Sequence, residues 1–210
     1  MSTYKQYLNK VADDFTSVIE KVAGVSKLNT EYFGWENRRY ASPVFRLAHI
    51  ERYSDSKVEV LHITTFPHKW SPEPIFGFDI ITTMDKPVGA YMDFTPVLKN
   101  YDFDYGQGWT SKKEVPEWAT VFSEQFLIVT PASNEELFRF CDTALMKYSG
   151  YLCNILDARS RDNEQYVTEI QNHYCEVQAS NPRTFNTLKT KIGPTRAKYF
   201  IEEILFPKIK

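Results

Sequence analysis

Hydrophobic spacing along the chain changes period twice. Over residues 4–22, Tyr4, Leu8, Val11, Phe15, Val18, Ile19 and Val22 recur at intervals of three and four. That spacing predicts one apolar stripe on a helix. The period then falls to two, the repeat of side chains on one strand face. Residues 44–52 predict a strand with Phe45, Leu47, His49 and Glu51 on one face, followed by a Ser54-Asp55-Ser56 turn. Residues 58–66 predict a second strand with Val58, Val60, His62 and Thr64 together. Residues 67–74 read as a proline-punctuated loop, and residues 75–82 as a third strand grouping Ile75, Gly77, Asp79 and Ile81. After Asp85-Lys86-Pro87, residues 89–94 predict a fourth strand, and residues 125–130 a fifth. Such short connections favour antiparallel neighbours.

Helical spacing returns afterwards. Ser133 with Glu136 forms a capping box ahead of the stripe Leu137, Phe140, Cys141, Ala144, Leu145, Tyr148 and Leu152. Residues 163–177 predict a helix with Val167, Ile170, Tyr174 and Val177 facing inward. Shorter helices are predicted at 184–191 and 195–206, divided by Gly193-Pro194. With no repeat and no long linker, residues 1–210 read as one domain. The fold class is α/β: a three-layer α/β/α sandwich whose central, mainly antiparallel sheet is flanked by helices on both faces.

Polar residues interrupt the apolar strand faces, and those interruptions carry the chemical information. His49, Glu51, His62 and Asp79 all sit in apolar strand settings. Each has an ordinary structural reading: a hydrogen-bonded core histidine, a strand-end carboxylate reaching solvent, a buried His–Asp bond. If the first three predicted strands are neighbours, the four side chains converge. A buried carboxyl group then favours its protonated form and shares that proton with a nearby imidazole, a pair able to deliver protons to a ligand.

Composition narrows the class. The 210 residues are 42% hydrophobic and 25% charged, enough for a packed core. Aromatics make up 15%, which suits either a thick core or a large flat ligand among rings. The net charge of −2 argues against a nucleic-acid binder. That charge is uneven: residues 181–210 carry +5 and the remainder −7. The basic end is either a solvated helix face or a docking patch for an acidic partner. Three cysteines, Cys141, Cys153 and Cys175, form no C-x-x-C pair. They argue against a zinc site, an iron–sulfur cluster or a disulfide framework, and are expected to be buried thiols in a reducing compartment. No metal site is expected. Residues 1–13 lack a signal-peptide pattern, and no stretch approaches the roughly 18–20 apolar residues of a membrane span. A cytoplasmic, monomeric protein without membrane contact is expected.

The run Leu61-His62-Ile63, Phe66-Pro67 and Pro74-Ile75-Phe76-Gly77-Phe78-Asp79 resembles the ferredoxin-dependent bilin reductases. The 17-residue step from His62 to Asp79 is similar to that of their phycocyanobilin:ferredoxin oxidoreductase branch. Further resemblance lies in His49-Ile50-Glu51, Asp93-Phe94-Thr95-Pro96, Pro116-Glu117-Trp118 with Phe122-Ser123, His173-Tyr174-Cys175 with Asn181 and Thr184, and Leu205-Phe206.

This resemblance implies a four-electron reduction of biliverdin IXα to phycocyanobilin by radical steps. Asp79 is then the central proton donor, His62 shares and relays protons, and Glu51 serves the D-ring vinyl group with His49 in support. Lys113 and Arg183 would hold the propionates, and Asn181 and Thr187 would lie near the D-ring. The resemblance implies no bound cofactor, and no G-x-G-x-x-G or P-loop stands in the chain. Electrons would come from a reduced [2Fe-2S] ferredoxin docking transiently at the basic C-terminal segment. Pro182 and Thr187 depart from the branch pattern. They leave open reduction at the 15,16 bridge to phycoerythrobilin. A non-catalytic tetrapyrrole carrier is the alternative from another class.

Overall fold

A computed structural model describes residues 3–98, 108–109, 112–114, 119–155 and 162–210. In chain order these form α1 (Thr3–Ile19), β1 (Ser26–Leu28), β2 (Glu36–Ala41), β3 (Phe45–Ser54), β4 (Val58–Pro67), β5 (Ile75–Thr83), β6 (Pro87–Thr95) and β7 (Leu127–Val129). Then come α2 (Asn134–Asn154), α3 (Glu164–Ala179), α4 (Pro182–Ile192), α5 (Pro194–Tyr199) and a π-helical turn (Phe200–Leu205). The seven strands make one antiparallel sheet in sequence order, so each strand pairs with its chain neighbours.

Two apolar layers sandwich the sheet. On one face, Leu8, Phe15 and Ile19 of α1 and Leu137, Phe140 and Tyr148 of α2 bury Ile50, Leu61, Ile63, Phe76, Phe78, Ile80 and Met92. On the other, Val167 and Tyr174 of α3, Leu188 of α4 and Phe200, Ile201 and Ile204 of the final turn cover Leu47, Phe66 and Ile75. The expected α/β/α sandwich is therefore present, and the five predicted strands correspond to β3–β7.

Three local features differ from the sequence expectation. A bulge between Phe45 and Leu47 reverses the alternation, so Phe45 packs with the α1–α2 layer while Leu47 keeps the opposite face. Strands β1 and β2 escaped the pattern because only Tyr40 among their residues is buried, so neither shows apolar alternation. The predicted last helix is α5 followed by the π-helical turn, which buries Phe200, Ile201, Ile204 and Leu205. Ser133 caps α2 as expected, accepting from the Glu136 N–H at 3.2 Å. Cys141 and Cys175 are buried, whereas Cys153 is exposed near the end of α2, contrary to the expectation for it.

The β3–β4 hairpin is tied by a buried ion pair. The Arg52 guanidinium meets the Glu59 carboxylate at 2.6 Å with side chains 3% and 1% exposed. It also donates to the Tyr53 and Val60 carbonyls at 2.7 and 3.1 Å, and Ser54 donates to Glu59 at 2.9 Å. Among the described residues no helix is long and apolar enough to cross a membrane.

Candidate active site

Strand register builds the site. Across the face toward α3–α5, Asn37 pairs with Glu51, Glu51 with His62, and His62 with Asp79. One step along, Arg39 pairs with His49, His49 with Thr64, Thr64 with Gly77, and Gly77 with Asp93. The four predicted polar residues thus share one face, because each lies an even number of positions from the next on its own strand or opposite it in register.

His62 Nδ1 lies 2.6 Å from Asp79 Oδ1, a charge-assisted distance. Its Nε2 lies 3.2 Å from Thr64 Oγ1. The His62 side chain is 13% exposed and that of Asp79 is 38% exposed, so the pair opens to water on the Asp79 side. Burial works to lower the imidazole pKa, but the Asp79 carboxylate in contact, with Glu51 adding, outweighs it and the net shift is upward. Glu51 is buried, and loss of hydration pushes its carboxyl up to about 7, with His62 opposing and Asp79 adding.

His49 is fully buried and its ring stands 6.4 Å from that of His62. Asn37 donates to the Trp35 carbonyl at 3.3 Å, so its Oδ1 is left to accept from His49 Nε2–H at 2.9 Å. Nδ1 then carries the lone pair and has no hydrogen-bond partner among the described residues. Burial, and then the charges of His62 and Arg39, lower the His49 pKa well below its usual value, which keeps the ring neutral.

The cover over His62 comes from the C-terminal tail. Phe206 meets the imidazole edge-on at 6.1 Å, and Tyr174 of α3 meets Phe206 at 6.4 Å. Arg46 of β3 holds the tail by donating to the Pro207 carbonyl and to Gln171 Oε1, both at 2.9 Å. Gln171 donates to the Pro67 carbonyl at 3.1 Å, and Asn172 exchanges two hydrogen bonds with the backbone of Ile209. Asp93 is a buried structural carboxylate: Thr95, the Ser123 N–H and the Ser123 hydroxyl all donate to it, the last through a short bond.

The remaining predicted residues lie around this row rather than in it. Lys113 is exposed beside the sheet edge, its N–H donating to the Ile128 carbonyl at 2.8 Å. Asn181 is the N-cap of α4, and its side chain accepts from the Arg183 N–H at 3.0 Å. Arg183 and Thr187 are exposed on α4. Pro116-Glu117-Trp118 lies outside the described residues. Two surface hollows of about 490 and 590 Å³ are lined by α4, α5 and the π-helical turn, and by α3, the π-helical turn and the tail; Phe206 stands in the wall of the second.

The basic C-terminal segment is largely ion-paired. Lys191 meets Asp55, Arg196 meets Glu31 and Lys208 meets Glu176, each at 2.6 Å. Lys198–Glu202 and Lys210–Glu203 are looser at 3.9 and 3.6 Å. Arg183 and Lys189, both on α4, have no ion pair among the described residues.

Asn37, Thr64, Tyr174 and Phe206 join the site without having been singled out as site residues. Thr64 was legible in principle, being on the His62 face. Asn37 was not, because its strand is charged and irregular, and Phe206 was not, because a chain end gives no spatial address.

Fold and row define a meandering sheet with a helical cover and a hydrogen-bonded acid–imidazole pair on the covered face. The family model described as ferredoxin-dependent bilin reductase matches residues 8–207, and the chain belongs to that family. It is accordingly an oxidoreductase that reduces a bilin with ferredoxin as electron donor. Phycocyanobilin:ferredoxin oxidoreductase of Trichodesmium erythraeum is 25% identical over 219 residues, covering 98% of this chain and 88% of that protein. The protein of the same name from a Synechococcus sp. strain is 31% identical over 198 residues, covering 86% and 78%. Two solved structures share the fold. A protein called PcyX matches with a TM-score of 0.70 at 24% identity, over 97% of this chain and 99% of that one. Phytochromobilin synthase from tomato, in complex with biliverdin, matches with a TM-score of 0.67 at 18% identity, over 97% and 83%.

Proposed function

We propose that this bilin reductase converts biliverdin IXα to phycocyanobilin in a four-electron reaction, with Asp79 as the proton donor to the lactam system. The observation that carries it is the 2.6 Å His62–Asp79 bond with Glu51 next in the same cross-strand row. Relatives named for phycocyanobilin formation and a neighbour in complex with biliverdin support the reading.

The pigment lies between the sheet face and α3–α5, against Phe206. Reduced ferredoxin supplies electrons one at a time, and no cofactor is bound. Each electron makes a more basic pigment, which takes a proton from Asp79. His62 refills Asp79 through their shared hydrogen bond. Glu51, holding its proton to about pH 7, supplies the D-ring vinyl group. Four electrons and four protons saturate two carbon–carbon double bonds. Lys113 and Arg183 pair with the propionates. Asn181 serves as the cap that fixes Arg183, and Thr187 faces the D-ring end.

An anaerobic assay with biliverdin and reduced ferredoxin tests this. Asp79→Asn is expected to bind biliverdin as the wild type does, to accumulate a bilin radical, and to lose about a hundredfold or more in turnover. Wild-type turnover by that variant would overturn the role of Asp79. Product colour separates the two bilins: blue for phycocyanobilin, pink for phycoerythrobilin.

A further inference from the structure

Tyr91 stands beside Asp79 and has no part in the proton chemistry above. The sheet fixes its place: β5 and β6 set Asp79 opposite Tyr91, and β6 and β7 set Tyr91 opposite Ile128. Asn37, Glu51, His62, Asp79 and Tyr91 therefore make one continuous row across five neighbouring strands.

The phenol lies flat along β6 over Gly89, two positions back on the same face. A Cβ at Gly89 would stand 2.6 Å from Tyr91 Oη and 2.7 Å from its Cε2. Gly89 is not among the glycines with positive φ, so its backbone does not call for glycine; the tyrosine does. The ring is braced by Phe126 at 6.4 Å, and Phe126 stacks on Phe122 at 4.2 Å. Tyr91 is half-buried, and its hydroxyl makes no hydrogen bond among the described residues.

Two charges reach this hydroxyl. Burial raises the phenol's pKa, Asp79 adds to that, and Arg183 at the start of α4 opposes it. The group stays a neutral donor, opposite Asp79 in the sheet and within reach of the Arg183 charge. A carboxylate is the part of a bilin that a phenol and a guanidinium take together.

We propose that Tyr91 positions the pigment: its hydroxyl donates to the propionate that Arg183 holds, and so sets how far the bilin lies over Asp79. The inference rests on the proposed biliverdin substrate. Titrations of biliverdin and of its dimethyl ester, without ferredoxin, test it. Tyr91→Phe is expected to raise the Kd for biliverdin about tenfold, the size of one hydrogen bond to a charged acceptor. Wild type and Tyr91→Phe are expected to bind the dimethyl ester alike, which a purely structural role of the phenol would not produce. Gly89→Ala, which displaces the phenol, is expected to weaken biliverdin to a similar extent, and to add nothing in a Tyr91→Ala background. Equal biliverdin affinity of wild type and Tyr91→Phe, or an equal loss for acid and ester, would overturn the assignment alone. Failure of the wild type to bind biliverdin would overturn the substrate reading and this inference with it.

Discussion

Glu51 lies in the sheet face with little exposure, and burial moves its carboxyl from 4.5 up to about 7. The folded value exceeds the unfolded one. Its contribution to stability is therefore complete below about pH 4.5 and lost as pH rises through about 7. The shift corresponds to a change on the order of 3 kcal/mol. Replacing Glu51 with Gln removes this titration. Urea unfolding at pH 5 and pH 8 is expected to show the variant gaining about that much on the wild type between the two. A constant difference would mean that Glu51 titrates as an exposed carboxylate. The same residues show what sequence carries at this scale. His49, Glu51, His62 and Asp79 stood out as polar residues at a period of two. Tyr91 did not, because an aromatic in a strand is ordinary and only register puts it next to Asp79.

The β3–β4 hairpin delivers both Glu51 and His62, and the Arg52–Glu59 pair fastens its far end. Removing one partner leaves the other charged and buried. Arg52→Met is expected to cost about 3–5 kcal/mol, read as a lower urea midpoint at unchanged slope. The Arg52→Met, Glu59→Leu double variant is expected to recover much of the loss. Double and single variants of equal stability would show that the buried charge is not the cause. Elements with a long apolar repeat were legible: α1, α2 and the strands β3–β6 fall where periodicity puts them. What escaped were features set by backbone pairing or by a local change of winding. β1 and β2 are bound to the sheet through hydrogen bonds rather than buried faces, and the π-helical turn has the same apolar content as an α-helix.

Over the whole molecule, the +5 of the C-terminal segment is not a free basic face. Five of its seven cations are paired with acids, and α4 keeps Arg183 and Lys189 beside the candidate site. Ferredoxin docking is accordingly proposed on the α4 face. Lys189→Glu is expected to slow turnover several-fold at limiting ferredoxin and low salt, with the deficit closing as salt is raised and at saturating ferredoxin. A deficit independent of salt would remove Lys189 from the encounter surface. Sequence gave the sign of this charge but not its neighbours, since Asp55, Glu31 and Glu176 are brought to it only by folding. The cover over His62 has a comparable dependence on distant parts. Each strand finds its partner in the next stretch of chain, so the platform can zip up hairpin by hairpin, whereas Phe206 reaches the imidazole only when the tail is gripped by Arg46 and α3. The floor of the chamber thus depends on neighbouring stretches of chain and its roof on distant ones: a chain with its tail unpinned would still pair Asp79 with His62, but would leave the imidazole bathed in solvent with no dry wall for a pigment to lean on.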